Sequence, residues 1–124
     1  MNDLREAVSF YEKVLGLKCY KIEEIPDQKV RTAFFAVDRT KIELLESTDP
    51  EGPIGKFINK RGEGIHHIAL EVDNIEEALA ELKAKGLALI DQKPRPGAHD
   101  AKIAFLHPKG TYGVLLELCE PKKH

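Results

Sequence analysis

Apolar residues fall at helical spacing in two places along this chain, and the two places read alike. Leu4, Ala7, Val8 and Tyr11 stand at i, i+3, i+4 and i+7, as do Ile75, Ala78, Leu79 and Leu82. Each set marks one buried stripe of an amphipathic helix. Asp3 with Glu6, and Asn74 with Glu77, have the spacing of capping boxes at the two helix starts. Glycines at Leu15-Gly16-Leu17 and Lys85-Gly86-Leu87 mark the two ends. After each helix the period changes from helical to alternating. Strands are expected at roughly 17–24, 29–37 and 40–46, and again at roughly 87–92, 101–106 and 113–119. The last strands nearly coincide, Ile42-Glu43-Leu44-Leu45-Glu46 against Leu116-Glu117-Leu118-Cys119-Glu120.

The chain is therefore an internal repeat. Its fold class is α+β, with paired βαβββ modules. Module 1 covers about 1–47, a linker with a short helix about 48–63, and module 2 about 64–120, all in one domain. The short helix carries Ile54, Phe57 and Ile58 after Asp49-Pro50-Glu51-Gly52-Pro53. Module 2 opens with a strand at 65–72, whereas module 1 begins directly at its helix. The first strand of module 1 is expected to precede Met1 and to be about eight to ten residues long, if the modules are alike.

That opening strand, Gly64-Ile65-His66-His67-Ile68-Ala69-Leu70-Glu71-Val72, holds two adjacent histidines. Side chains alternate between the faces of a strand. His66 then shares an apolar, helix-covered face with Ile68, Leu70 and Val72 and reads as a packing residue. His67 takes the other face with Ala69 and Glu71. By the same alternation Glu43 and Glu117 point away from Ile42 and Leu44, and from Leu116 and Leu118. If the apolar faces pack on helices, His67, Glu43 and Glu117 converge in a cup between two sheets. One imidazole and two carboxylates suit a divalent metal of the zinc, iron, manganese, cobalt or nickel type, with coordination positions left for substrate oxygens.

Composition narrows the classes. The 124 residues are 42% hydrophobic and 32% charged, with a net charge of -2, so neither nucleic acid nor an anionic membrane is the expected partner. No apolar run approaches the ~20 residues of a membrane span, and no leader is evident. Cys19 and Cys119 stand apart, which suits reduced thiols in a cytoplasmic protein.

The motifs resemble one family. Phe10-Tyr11-Glu12-Lys13-Val14-Leu15-Gly16-Leu17, Thr40-Lys41-Ile42-Glu43-Leu44-Leu45-Glu46, Gly62-Glu63-Gly64-Ile65-His66-His67-Ile68-Ala69 and Phe105-Leu106-His107-Pro108-Lys109 are similar to the methylmalonyl-CoA epimerases of the vicinal oxygen chelate (glyoxalase) superfamily. The resemblance implies a cup around one divalent ion (cobalt, manganese, zinc or nickel), usually in a homodimer. It places His67, Glu43 and Glu117 as ligands and leaves the first-module histidine without a counterpart. It implies interconversion of (2R)- and (2S)-methylmalonyl-CoA through an enolate, with Glu117 also an acid/base group. A second acid/base group is needed on the other face of C2. The glutamate that some members carry on the second strand of module 1 has no match among Gln28 to Ala33. A glyoxalase I-like lyase acting on a glutathione adduct, or a binding domain without catalysis, are the alternative readings.

Overall fold

A computed structural model describes residues 1–122. The chain divides into two compact units, Met1–Ile65 and the residues from His66 on. Unit 1 runs α1 (Leu4–Lys13), β1 (Cys19–Ile25), β2 (Val30–Val37), β3 (Thr40–Ser47) and α2 (Pro53–Arg61). Its sheet is antiparallel in the order β1-β2-β3. Unit 2 runs β4 (Ile68–Glu71), α3 (Ile75–Ala84), β5 (Arg95–Pro96), β6 (Lys102–Leu106) and β7 (Leu116–Glu120). Its sheet has the order β4-β7-β6-β5, with β4 parallel to β7 and the other pairs antiparallel.

The helical stripes read from the sequence are the ones that pack. Leu4 is buried with Ala33, Phe35 and Leu44, and Ala7, Val8 and Tyr11 close over them. Ile75 and Leu79 are buried with Ala104, Leu106 and Leu118, joined by Ala78 and Leu82. Each unit thus has one helix laid on one face of its own sheet. Gly16 and Gly86 adopt positive φ at the two helix ends, +72° and +83°, where a side chain would be strained.

The repeat extends to individual hydrogen bonds. The Asp3 carboxylate accepts from the Glu6 amide at 3.0 Å, and the Asn74 amide oxygen accepts from Glu77 at 3.1 Å. The next free amide of each helix turns to a glutamate from the last strand of its module. Leu4 N–H donates to Glu46 at 2.8 Å, and Ile75 N–H to Glu120 at 2.9 Å. The Met1 ammonium donates to the Leu45 carbonyl at 2.9 Å, matching the Val72 amide and the Cys119 carbonyl at 2.9 Å. A carboxylate at a helix N-terminus satisfies an orphan donor and meets the positive end of the dipole. Glu120→Ala is expected to cost about 1–2 kcal/mol, read as a lower urea midpoint, with Glu120→Gln recovering part of it.

Two expected strands differ. The segment 87–92 makes only an isolated bridge, Leu89 with Leu106. The amides of Ile90 and Asp91 both donate to the Phe105 carbonyl, and the Asp91 side chain accepts the Phe105 amide at 2.9 Å. A side chain thus takes the place of the backbone acceptor, and the ladder resumes only at Arg95–Pro96. The strand expected at 65–72 is shorter, because its partner β7 starts only at Leu116 and the first rung is Ile68 N–H to the Leu115 carbonyl. His66 and His67 lie just before β4, so strand alternation does not govern them. Ile68 and Leu70 are half exposed rather than covered by a helix; of that face only Val72 joins the core.

Candidate metal and active site

Residues paired across a ladder share a face, so register places the chemistry. In unit 2, Glu117 stands between Ala69 on β4 and Phe105 on β6. The His67 ring reaches the same face. It meets the Phe105 ring edge-on at 5.7 Å, and its Nε2 lies 3.3 Å from Glu117 Oε1. Both side chains are largely buried, at 17% and 13% exposure. Ala101, Ile103 and Phe105 form the apolar floor beside them, with Leu115 and Cys119.

Phe105 is held from three directions. Its amide is bound by Asp91, His67 meets its edge, and the Arg95 guanidinium stands 5.1 Å over its ring. Arg95 Nε is 3.5 Å from the same Asp91 carboxylate. The loop at 94–99 thus sets a cation one ring away from His67. No sequence signal distinguished Arg95 from a solvated arginine.

His66 is a correction to the sequence reading. Its Nδ1 lies 2.9 Å from Nδ1 of His67, with the rings nearly perpendicular. It is His67's hydrogen-bond partner, not a packing residue beneath a helix. One of the two nitrogens must donate and the other accept. With the proton on His67 Nδ1, the Nε2 lone pair is free to face Glu117, as a ligating imidazole requires.

Unit 1 repeats the glutamate. Glu43 on β3 pairs with Phe34 on β2, as Glu117 pairs with Phe105. Phe34 is fully buried and packs against the Tyr20 ring at 6.1 Å. Partial burial first, and the nearby Glu43 carboxylate second, push the Tyr20 hydroxyl above its ordinary value. Tyr20 therefore stays a proton donor on this face. His67 and Glu117 come together within unit 2, while Glu43 belongs to unit 1. Taken unit by unit, no group of three or more His, Cys, Asp or Glu side chains among the described residues is gathered as a metal cage. Cys19 and Cys119 are in no disulfide. No helix among the described residues is long and apolar enough to cross a membrane.

The sequence and the fold match a known superfamily. Residues 1–105 match the model of the Glyoxalase/Bleomycin resistance protein/Dioxygenase superfamily, and the chain belongs to that superfamily. Among its relatives, the uncharacterized protein YqjC of Bacillus subtilis is 45% identical over 119 residues, 96% of this chain and 85% of that one. The mitochondrial methylmalonyl-CoA epimerase of Mus musculus is 39% identical over 94% of this chain and 66% of its own length. A solved methylmalonyl-CoA epimerase, in complex with methylmalonyl-CoA and NH4+, superposes with a TM-score of 0.93 at 34% identity, covering 97% of this chain and 88% of that one.

Proposed function

We propose that this chain epimerises methylmalonyl-CoA at C2, with His67, Glu43 and Glu117 holding one divalent ion and Glu117 also transferring a proton. The observation that carries the reading is the His67–Glu117 pair on the Phe105 face, in a chain whose relatives include methylmalonyl-CoA epimerases. Ligands about 2.0–2.2 Å from one ion stand roughly 2.8–3.6 Å from each other at octahedral to tetrahedral angles. The observed 3.3 Å between Nε2 and Oε1 fits two neighbouring ligands. Nitrogen and carboxylate donors suit cobalt, manganese, zinc or nickel. When bound, such an ion supplies positive charge for the oxygens of the substrate, which lowers the cost of an enolate.

The chain's own groups do the rest. Glu117 takes a proton alpha to the thioester carbonyl, a step that needs a positioned carboxylate in a water-poor site. The buried floor of Ala101, Ile103 and Phe105 limits water. Arg95 offers a cation for the substrate carboxylate. The expected setting is the cytoplasm, and the expected assembly is a homodimer, checked by sedimentation.

Proton NMR of methylmalonyl-CoA in deuterated buffer tests the reading. The C2 proton should exchange and the epimers should equilibrate; a metal-loaded protein that leaves C2 protiated refutes it. Turnover of the methylglyoxal–glutathione hemithioacetal instead would assign a lyase. His66→Phe should weaken metal binding about 10–100-fold, since His66 orients the ligating ring. Competition with a chromogenic chelator measures this directly.

A further inference from the structure

Unit 2 carries a cleft of about 830 Å³ on the α3 side of its sheet. One wall is α3, which contributes Glu76, Leu79, Ala80 and Lys83, the spacing of a single helical face. The other wall is the stretch from Leu89 to Pro96, with Lys102 beside it. Lys102 and Pro96 are ladder partners. Side chains alternate along β6, so Lys102 lies on the side of Ala104 and Leu106, where Leu79 of α3 packs. Phe105 and Glu117 are partners on the other side. The cleft and the His67–Glu117 pair are therefore separate features of one unit.

The cleft is built into the backbone. Between the isolated bridge at Leu89 and the pairing of Arg95, the chain leaves the ladder and opens a space beside α3. Pro94 and Pro96 fix φ along that wall and keep it from closing. Gly97 anchors its end, so close to Ile103 that a Cβ there would meet Cγ2 at 2.6 Å. A pocket shaped before its ligand arrives spares the cost of ordering. Its size, and its mix of an apolar floor with a few polar groups, are those of a small-molecule site.

The lining says which small molecule. Leu79, Leu89, Pro94 and Pro96 offer aliphatic surface, and none of the lining residues is aromatic, so a flat base has nothing to stack on. Asp100 is ion-paired with Lys122 at 3.5 Å, and Arg95 with Asp91 at 3.5 Å. Lys83, Lys93 and Lys102 have no ion-pair partner among the described residues, nor has Glu76. Three unpaired ammonium groups against one carboxylate leave a positive surplus over an aliphatic floor. We infer that this cleft binds an anionic group, carboxylate or phosphate, carried on an aliphatic chain. From Glu76 to Lys83 the helix offers about 10 Å of wall, room for an extended eight-carbon chain. The site stands whatever reaction the Phe105 face performs.

Amide NMR of the full chain tests this with octanoate and octyl phosphate. Either should give saturable shifts confined to residues 76–83 and 89–102. Octanoate alone assigns a carboxylate, and octyl phosphate alone a phosphate. Acetate lacks the chain and octylamine carries the wrong charge, so both should leave these amides unmoved. Ala80→Leu keeps a good helix former and fills the cleft, and should abolish the shifts. Lys83→Glu combined with Lys93→Glu should weaken binding about tenfold or more. Lys85→Glu, outside the cleft and paired with Glu81 at 3.1 Å, should stay within twofold of the parent. The site is overturned if neither anion gives a saturable shift, if the shifts fall elsewhere, if octylamine binds as tightly as octanoate, or if Ala80→Leu binds like the parent.

Discussion

His67→Ala is expected to lower C2 exchange by roughly a thousandfold, about 4 kcal/mol of transition-state stabilisation. The side chain sits 3.3 Å from Glu117 and 5.7 Å from the Phe105 ring, so its loss removes one proposed ligand and loosens another. The same variant should no longer retain a stoichiometric ion after dialysis, measured by elemental analysis. Glu117→Gln separates the two duties proposed for that glutamate. It keeps the shape and one oxygen donor but removes the base. Metal retention should fall less than in His67→Ala, while exchange should fall at least as far. Equal metal content with undiminished exchange in both variants would remove the metal trio from the reading. Unfolding curves guard against a trivial loss, because neither side chain belongs to the apolar clusters of unit 2.

Phe35→Ala carries the largest expected effect on stability. Phe35 is fully buried between Leu4, Ala33 and Leu44, and Tyr11 packs on its ring at 5.6 Å. Truncating a buried phenylalanine costs about 3–5 kcal/mol, because the cavity adds to the lost transfer energy. Chemical denaturation should show the loss. Native-state hydrogen exchange should show where it falls, with the amides of β2 and β3 losing protection first. Phe35→Leu keeps most of the volume and should cost far less. If β6 and β7 lose as much protection as β2 and β3, the core of unit 1 does not bear the change.

The helices were fully legible in the sequence. Their stripes, caps and terminal glycines are local features, set within three or four residues by backbone geometry. The facing of Glu43 and Glu117 was legible too, because alternation is local and both lie well inside or at the rungs of a paired strand. His66 was misread for the same reason. Alternation holds only where a ladder holds, and the ladder begins at Ile68. Nothing near His66 in the sequence announces that β7 starts only at Leu116. The strand expected at 87–92 failed in a similar way, since the acceptor for Phe105 N–H is a side chain, Asp91, rather than a backbone carbonyl.

By itself, the amino-acid sequence determined the two-module repeat and the helical faces, and it singled out His67, Glu43 and Glu117 as candidate ligands. Those follow from periodicity and from the match between two halves of one chain. Tertiary structure alone decided which side chains touch. It set His66 against His67 and Arg95 over Phe105. Register and loop closure bring together groups that no local pattern couples, because each contact depends on where a partner strand begins.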